Sequence, residues 1–422
     1  MKPVFKWIIG AGIVGGLAAA SVPFWPSTSA YDVASAEKTL SATASAEDKA
    51  QLVARGKYLA AVADCAACHQ SPDGAPYAGG LPIDTPFGVI YGTNITPDKE
   101  TGIGNYTSAE FYHAVADGVR GDGKKLYPAM PYVSYHAIRQ ADSDAIYAYL
   151  MTQQPVNRAN PALELPFPFN QRWAMAYWNL VNGKLSLPAN ASAEVTNGAY
   201  LTDVLGHCQE CHTPRNIIGG MKMASAYQGS VLGKITAPSL TPEALAARGW
   251  TVEDIRTFLK TGMSPQGTMT LEMYPVLLHS SQYMTDDDIA AIQTYLTGDQ
   301  LPVAPKQPEI AIEASVRQSG RDAYMAVCAG CHGVDGEGKP HIAPPMNTNT
   351  SAKLADPSNL IHVLLDGIAE QKLANGEVMQ SMPGFKNALS NQELADLVNY
   401  MRAEWGGQPA NITVKDIEKA GS

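Results

Sequence analysis

The chain has 422 residues, of which 30 are Lys or Arg and 40 are Asp or Glu, so its formal charge at pH 7 is -10. A chain this acidic is repelled by nucleic acid and by anionic lipid headgroups, which excludes binding to either through general electrostatics. Its length is sufficient for three domains of ordinary small size.

The first thirty residues have the pattern of an export signal. Lys2 and Lys6 precede an apolar run over 7–25, and small residues lead up to Ala30. This order is typical of a secretory signal peptide, for which we predict cleavage after Ala30. The run of 19 residues is also about long enough to cross a bilayer, so an uncleaved anchor is the alternative. Because residues 1–30 hold two lysines and no acid, their removal changes the formal charge from -10 to -12.

All six cysteines lie in three short motifs of the form Cys-x-x-Cys-His, which read CAACH, CQECH and CAGCH. Their residues are Cys65, Cys68 and His69; Cys208, Cys211 and His212; and Cys328, Cys331 and His332. A Cys-x-x-Cys pair is typical of a redox disulfide, of half a zinc site or, when His follows directly, of the attachment point of haem c.

The histidine after each pair favours haem c. Haem attachment requires two thiols on one helical turn for the two vinyl groups, and an adjacent imidazole that can ligate the iron. A structural zinc site needs four ligands, usually from two such pairs, and three pairs leave one without a partner. A thioredoxin-like disulfide lies in a β-α-β pattern, which surrounds none of the three. We therefore predict three covalently bound haems c, each with its iron.

Each motif belongs to a longer repeat of predicted helices. The first helix of each repeat leads into the first cysteine and starts near a glycine. These leading helices read RGKYLAAVADC from Arg55, NGAYLTDVLGHC from Asn197 and SGRDAYMAVC from Ser319. Such self-similarity indicates one structural unit that is used several times.

A second predicted helix lies downstream of each motif, with apolar residues at i and i+4 and a closing glycine at i+7. The three sets are Phe111, Val115 and Gly118; Ile255, Leu259 and Gly262; and Leu360, Leu364 and Gly367. In the first two helices, a threonine followed three residues later by an acidic residue predicts an N-terminal capping box. These pairs are Thr107 with Glu110 and Thr251 with Asp254.

The last predicted helix of each repeat carries a tyrosine in an equivalent place: Tyr149, Tyr295 and Tyr400. The repeat resembles the class I cytochrome c domain, in which the first and last helices cross beside the haem. This resemblance predicts an all-α chain of three tandem cytochrome c domains, each wrapped around a covalent haem c. The predicted domains are 50–155, 190–300 and 315–407, followed by a C-terminal tail over 408–422.

The second axial ligand of each iron is expected to be Met or His, and Met raises the reduction potential. Met130 follows His69 at the same distance along the chain as Met273 follows His212. Met382 repeats the Met-Pro pair that begins at Met130. The predicted ligands are Met130, Met273 and Met382, with Met269 and Met379 as the alternatives in the second and third domains. The competing interpretation of any methionine is that it fills an irregular gap in the core.

Four other residues near the motifs have different expected roles. His113 and His362 fall on helix faces, where a surface or core role is expected rather than ligation. His207 directly precedes Cys208 and is too constrained to reach its own iron, although it could reach a propionate or the edge of a neighbouring haem. Arg215 is either a propionate partner or a solvated side chain.

The three repeats in this order, with the segments YGTNITPDKETGIGNYT, LYPAMPY, CHTPRN, HSSQYM and MPGF, resemble the tri-haem cytochrome c subunit of membrane-bound dehydrogenases of acetic acid bacteria. The catalytic partners in that family are quinoprotein alcohol dehydrogenases and flavin-dependent gluconate, fructose, sorbitol and aldehyde dehydrogenases. The resemblance extends from about Gln51 to Gly407.

This resemblance implies an electron-transfer subunit that is not catalytic by itself. Electrons would pass from a catalytic subunit with flavin or pyrroloquinoline quinone (PQQ), through three haems, to ubiquinone at the periplasmic face of the bacterial inner membrane. Some family members have a C-terminal membrane helix. Here the C-terminus is polar, so we expect attachment through the N-terminal segment, an interfacial surface or the partner subunit.

Two other classes of function are compatible with the motifs. A multihaem peroxidase requires one haem without a stable sixth ligand, so loss of Met273 as a ligand would favour it. A free-standing electron carrier, or a subunit that serves a terminal oxidase, would be water-soluble and act with many donors. The predicted axial ligands favour a relay, because no iron is open to a substrate. The substrate chemistry would then belong to another polypeptide.

Overall fold

The computed structural model describes residues 29–40, 45–182 and 197–422. The predicted export signal lies outside these residues, except for Ser29 and Ala30. Within the described ranges, no helix is both long enough and apolar enough to cross a bilayer.

The chain divides into two compact units. The first comprises Met1–Ala60 and Cys68–Leu187, and the second comprises Ala61–Ala67 and Pro188–Ser422. The second unit therefore contains two of the predicted domains, and the count of three separate domains stays a prediction.

The described elements up to residue 182 are mainly helical. The helices are α1 (Val33–Leu40), α2 (Ala46–Val62), α3 (Cys65–His69), α4 (Ser108–Asp117), α5 (Tyr132–Tyr135), α6 (Gln140–Leu150) and α7 (Ala174–Asn182). One antiparallel hairpin, β1 (Pro82–Thr85) with β2 (Gly88–Tyr91), lies between α3 and α4.

From residue 197 onward the chain is again mainly helical, beginning with a π helix at Tyr200–Leu205. The α helices are α8 (Gln209–His212), α9 (Pro242–Ala247), α10 (Val252–Thr261), α11 (Tyr274–His279), α12 (Asp286–Thr297), α13 (Ala314–Val327), α14 (Ala329–His332), α15 (Thr350–Lys353), α16 (Ser358–Asp366), α17 (Asn391–Glu404) and α18 (Val414–Gly421). Short 3-10 turns occur at Met223–Ser225, Leu271–Met273 and Ser281–Tyr283. The antiparallel hairpins are β3 (Ser230–Leu232) with β4 (Ile235–Ala237), β5 (Met263–Ser264) with β6 (Gly267–Thr268), and β7 (Gln371–Lys372) with β8 (Val378–Met379).

Both predicted capping boxes are present. On α4 the Thr107 side chain accepts from the backbone N–H of Glu110, whose carboxylate accepts from the N–H of Thr107. Thr251 and Asp254 make the same pair of contacts on α10. The glycines that close these two helices have φ of 61° and 82°, a left-handed conformation that favours glycine.

The first and last helices of each predicted domain cross so closely that only glycine fits at the crossing. A Cβ atom on this glycine would overlap a backbone oxygen of the last helix and lie 2.5–2.9 Å from the Cβ atom of a tyrosine one turn further on. The three crossings are Gly56 with Ala145 and Tyr149, Gly198 with Ala291 and Tyr295, and Gly320 with Asp396 and Tyr400. The tyrosines singled out in the sequence thus mark one contact that occurs three times.

The leading helices differ in length between the crossing glycine and the first cysteine. This spacing is nine residues from Gly56 to Cys65, but ten residues in the second repeat and eight in the third. The repeat with the longest spacing contains the π helix, in which Gly206 N–H donates to Leu201 O at 2.7 Å. Because a π turn holds one more residue than an α turn, the extra residue is accommodated within the helix.

Hydrogen bonds inside the second unit join its two predicted domains. The side-chain amide of Asn359 makes two bonds with the backbone of Thr236, both of 2.8 Å. The hydroxyl of Tyr274 donates to Lys372 O at 3.1 Å and accepts from Lys372 N–H at 3.0 Å. These contacts explain why the two domains group as one compact unit.

The C-terminal residues 408–422 include the packed helix α18, although their polar sequence predicts a tail. Its Ile417 is buried in the same apolar core as residues of α13, α16 and α17. Asn399 fixes the connection to α18, because its side chain donates to Ile412 O at 2.9 Å and accepts from Ile412 N–H at 2.8 Å. The C-terminal residues are therefore part of the second unit's core.

A buried carboxylate holds the N-terminal segment in the first unit. Asp117 accepts from the N–H and the hydroxyl of Ser29 at 2.8 and 2.7 Å. His113 and His136 lie 2.9 and 3.6 Å from the same carboxylate. Burial raises the pKa of Asp117, but hydrogen bonds from His136, Ser29 and His113 outweigh burial, so the pKa is lowered overall.

We expect Gly320→Ala to destabilise the second unit, because the new methyl group would overlap the Asp396 carbonyl. Overpacking of this kind costs about 1–3 kcal/mol. Thermal unfolding of the haem-loaded protein, followed by circular dichroism, measures the effect. Gly330→Ala is the matched control, because a Cβ atom there meets nothing within 4 Å. Equal unfolding temperatures for the two variants would contradict the close crossing.

We expect Asp117→Asn to destabilise the first unit at pH 7 by about 1–3 kcal/mol, since its half-buried partners lose a charged acceptor. The pKa of Asp117 is lower in the folded chain than in the unfolded chain. Its contribution is therefore present above the unfolded pKa of about 4 and is lost as the pH falls through the folded value. Urea unfolding of wild type and variant at pH 7 and below pH 4 should show a difference that shrinks on acidification. A constant difference would refute the role of the charge.

Candidate functional site

Each Cys-x-x-Cys-His motif forms one short helical turn, at α3, α8 and α14. The second cysteine follows the first by three positions, so both sulfurs lie on the same face of the turn. None of the six sulfurs is in a disulfide. Two thioether bonds to one porphyrin require this arrangement, with the histidine directly beside it.

Burial raises the pKa of the thiols of Cys208 and Cys328 to about 12. Cysteines of thiol–disulfide enzymes have the opposite property, because a lowered pKa keeps the attacking sulfur as a thiolate. The second and third motifs therefore lack the electrostatics of a redox disulfide.

All three motif histidines donate Nδ1–H to a backbone carbonyl. The pairs are His69 with Thr93 O at 2.6 Å, His212 with Pro238 O at 2.7 Å, and His332 with Pro344 O at 2.9 Å. Because a carbonyl only accepts, the proton is on Nδ1, and Nε2 keeps the lone pair that a metal ligand needs. Burial lowers the pKa of all three imidazoles, which favours the neutral ligating form.

A glycine closes the loop around each of these histidines. Its N–H donates to the backbone oxygen of the histidine at 2.7–2.8 Å, and its φ lies between 69° and 84°. A Cβ atom on it would overlap the peptide whose carbonyl accepts Nδ1–H. The pairs are Gly79 with His69, Gly229 with His212, and Gly338 with His332. We call the histidine, its glycine and the accepting carbonyl the histidine clamp.

Sequence reasoning missed the clamp glycines because their spacing is irregular. The clamp glycine of the second repeat lies further from its histidine than that of the first, and the clamp glycine of the third repeat lies nearer. The accepting carbonyls are equally irregular, at separations of 24, 26 and 12 positions from their histidines. The property that the glycines share is a positive φ, and a chain with 37 glycines offers many positions for it.

The backbone that leads to the predicted methionine ligands is equivalent in the first two repeats. Leu126 N–H donates to Gly118 O at 2.7 Å, and Met269 N–H donates to Gly262 O at 2.8 Å. Each acceptor is the glycine that closes the second helix of its repeat. Met269, the alternative ligand, therefore occupies the place of Leu126 rather than that of Met130.

Four residues further on, the backbone makes the same turn in both repeats. Met130 N–H donates to Tyr127 O at 3.1 Å, and Met273 N–H donates to Thr270 O at 3.2 Å. Met269 is buried in an apolar cluster, and Met273 is partly buried against the same cluster. The equivalence supports Met273 over Met269, and ligation by Met130 and Met273 stays a prediction.

Met382 occupies a different backbone position in the third repeat. It forms a bridge with Ile368 in which each N–H donates to the other residue's carbonyl at 2.9 Å. Its side chain packs against the apolar core of the third repeat. Met379 lies in β8 opposite Gln371. Ligation by Met382 therefore stays a prediction, with Met379 as the alternative.

The other residues singled out in the sequence have local partners. The pairs are His113 with Asp117 at 2.9 Å, His362 with Asp366 at 3.6 Å, and Arg215 with Glu210 at 2.6 Å. Both histidines pair with an acid one turn further along their own helix. The propionate contacts of Arg215 and His207 stay predictions.

A buried carboxyl group that sequence reasoning did not find lies on the π helix. Asp203 accepts hydrogen bonds from the hydroxyls of Tyr227 and Tyr295, the second at 2.6 Å. Burial raises the pKa of Asp203, and the hydroxyls only partly offset it. Its charge contributes to the raised pKa of the Cys208 thiol. A titratable group is therefore held beside the second motif by the tyrosine of the helix crossing.

The cytochrome c family matches residues 53–154 and 318–405 of the chain. The first stretch contains CAACH and Met130, and the second contains CAGCH and Met382. The fold and these motifs define the chain as a c-type cytochrome.

Individual relatives are more specific. The chain is 38% identical over 405 residues to the cytochrome c subunit of gluconate 2-dehydrogenase from Pantoea cypripedii, covering 90% of this chain and 92% of that protein. It is 36% identical over 394 residues to the cytochrome c subunit of quinone alcohol dehydrogenase from Gluconobacter oxydans, covering 87% and 82%. The chain belongs to this family of dehydrogenase cytochrome c subunits, which confirms the resemblance seen in the sequence.

A further relative is much longer than this chain. It is a nicotinate dehydrogenase subunit from Pseudomonas putida, which is 39% identical over 364 residues, or 84% of this chain. The matched region is 30% of the length of that protein.

Met273→Leu is expected to open the sixth position of one haem in three, because leucine has a similar volume but no ligating atom. Carbon monoxide should then bind to about a third of the reduced haem, and the midpoint potential of that haem should fall. Met269→Leu is the matched control and should leave carbon monoxide binding absent. The opposite pattern would make Met269 the ligand.

Proposed function

We propose that the chain carries three haems c, one on each Cys-x-x-Cys-His turn, in three tandem cytochrome c domains. The support is the repetition of two contacts at all three motifs, the histidine clamp and the glycine–tyrosine helix crossing. The middle motif has both contacts, although it lies outside the two stretches that the cytochrome c family matches.

The residues fit this group. Two cysteines per turn provide the thioether bonds, the clamped histidine provides Nε2, and a methionine is the proposed ligand on the other side. The residues that would hold the three irons are His69 with Met130, His212 with Met273, and His332 with Met382. Bound haem iron supplies a one-electron change between its ferric and ferrous states. The clamps fix the tautomer and the orientation of each imidazole, and burial lowers its pKa, which favours the neutral form.

We further propose that the chain is the electron-transfer subunit of a periplasmic dehydrogenase complex at the membrane. Electrons would come from a catalytic subunit with flavin or PQQ, pass through the haems one at a time, and reduce ubiquinone. The observation that carries this proposal is the similarity to the gluconate 2-dehydrogenase subunit over 92% of its length. Two protein ligands on each iron leave none open to a substrate, so the catalysis belongs to the partner.

Purification from the native host in mild detergent tests the proposed complex. We expect a flavoprotein or quinoprotein dehydrogenase to co-purify in fixed ratio, and its substrate to reduce the haems and then added ubiquinone. Mass spectrometry identifies the partner and therefore the substrate. A three-haem protein that purifies alone and in water would favour a free-standing carrier instead.

The haem count is tested by the double variant Cys208→Ser, Cys211→Ser. Serine cannot form a thioether, so we expect two haems per chain in place of three, measured from intact mass and the pyridine haemochrome spectrum. The matched variant Cys328→Ser, Cys331→Ser, in a stretch matched by the cytochrome c family, should lose one haem as well. An unchanged count in the first variant would remove the middle haem from the proposal.

A further inference from the structure

A group of large apolar side chains in the first unit faces solvent. Phe167, Phe169, Trp173, Leu180 and Val181 have 79, 43, 59, 64 and 69% of their surface exposed. Single exposed apolar side chains are ordinary on a protein surface, whereas a contiguous group marks an interaction site. We call these five residues the apolar face.

Three residues of the apolar face lie along one side of α7, starting one residue before it. Trp173, Leu180 and Val181 fall at positions i, i+7 and i+8, which lie on the same side of a helix. Tyr177, at i+4, fills the space between them, with its ring centroid 6.0 Å from that of Trp173. The patch is therefore continuous along the helix.

A second side of α7 is fixed to the fold through polar contacts. Asn179 accepts from the Tyr132 hydroxyl at 2.8 Å, and Arg172 donates to Lys125 O at 3.0 Å. Ala176, on the same side, is buried. Trp178 also faces the fold, with its ring centroid 6.4 Å from that of Tyr132. The helix is thus held through one side, while Trp173, Leu180 and Val181 remain exposed on another.

The segment that forms the face has almost no charge. Arg172 is the only charged residue within 165–182, although 17% of the whole chain is charged. The Arg172 guanidinium lies over the ring of Tyr127, 4.7 Å from its centroid. The outward surface can therefore enter the headgroup region of a bilayer without desolvating a charge, and Trp and Phe favour that region.

The N-terminal segment meets the first unit close to this helix. Ser29, which follows the apolar N-terminal run by four residues, is bound by Asp117. A Cβ atom on the next residue, Gly118, would lie 2.7 Å from the ring of Tyr132, and Tyr132 donates to Asn179 of α7. Asp117, Gly118 and Tyr132 therefore connect the start of the described chain to α7.

We propose that the apolar face docks the first unit on the lipid bilayer by shallow insertion of its aromatic and aliphatic side chains. The inference rests on the proposed function, because ubiquinone is dissolved in the bilayer and a cytochrome that reduces it must work at that surface. The chain has a net charge of -10, so anionic lipid does not attract it. Binding therefore depends on apolar contact, and neither salt nor anionic lipid strengthens it.

Vesicle binding of the haem-loaded chain tests the proposal. A cleavable leader replaces residues 1–30, so every form begins at Tyr31 and only the apolar face differs. The test variant is Trp173→Gln, Leu180→Gln, Val181→Gln. The control replaces three exposed apolar residues of the second unit, Ile217→Gln, Val231→Gln, Val303→Gln.

The measurement is co-sedimentation with phosphatidylcholine and phosphatidylethanolamine vesicles at low and high salt. The partition coefficient is expected to fall about tenfold or more in the test variant and to stay unchanged in the control. Soret spectrum and unfolding temperature show that each variant is folded, and Trp173→Gln alone replaces the triple variant if that loses haem. Equal partition of test variant and wild type overturns the proposal.

A second result would also overturn the proposal that the apolar face docks on lipid. If the variant still binds vesicles but no longer co-purifies with the catalytic subunit in detergent, the face is a subunit interface. The proposed function is tested apart from vesicles, through reduction of the wild-type haems by the dehydrogenase substrate in detergent. Haems that stay oxidised there refute the proposed function, whereas the vesicle result decides the role of the apolar face.

Discussion

The hydrogen bond from Nδ1 of each motif histidine to a backbone carbonyl is the contact on which the three predicted haem sites depend. It sets the tautomer of the imidazole and the direction of its ring, and it ties the motif to a loop that returns 12 to 26 residues later. The clamp glycine holds the same loop from the other end, through the backbone oxygen of the histidine. Neither contact uses a side chain other than the imidazole, so the loop sequences between them can differ.

The parts of this architecture that follow from short sequence patterns were predictable. Capping boxes, closing glycines and the Cys-x-x-Cys-His turns each need residues within one or two helical turns of each other, so their spacing is fixed by helix geometry. The clamp glycines were not, because their spacing from the histidine differs in each repeat. Asp203 and the packing of Ile417 in α18 were not, because each depends on a contact between residues far apart in the chain. The polar composition of residues 408–422 predicted a tail. The burial of Ile417 shows that this segment belongs to the core of the second unit.

The second repeat shows how much variation the arrangement permits. It has one more residue than the first between the crossing glycine and the cysteine, and its clamp glycine lies further along the chain from the histidine. A π turn accommodates the first difference and a longer loop the second, while the crossing at Gly198 and the clamp at His212 keep the geometry of the other repeats. The repeat that keeps these contacts at a different spacing is also the one that the cytochrome c family match does not cover.

The two cysteines of a motif differ in their access to water. In the third motif Cys328 is buried, whereas Cys331 is exposed. Burial raises the pKa of the Cys328 thiol to about 12, and the Cys208 thiol of the second motif has the same raised pKa. A thiol with a raised pKa is a poor nucleophile. Thioether formation on these two sulfurs is therefore favoured while their turns are still open to water.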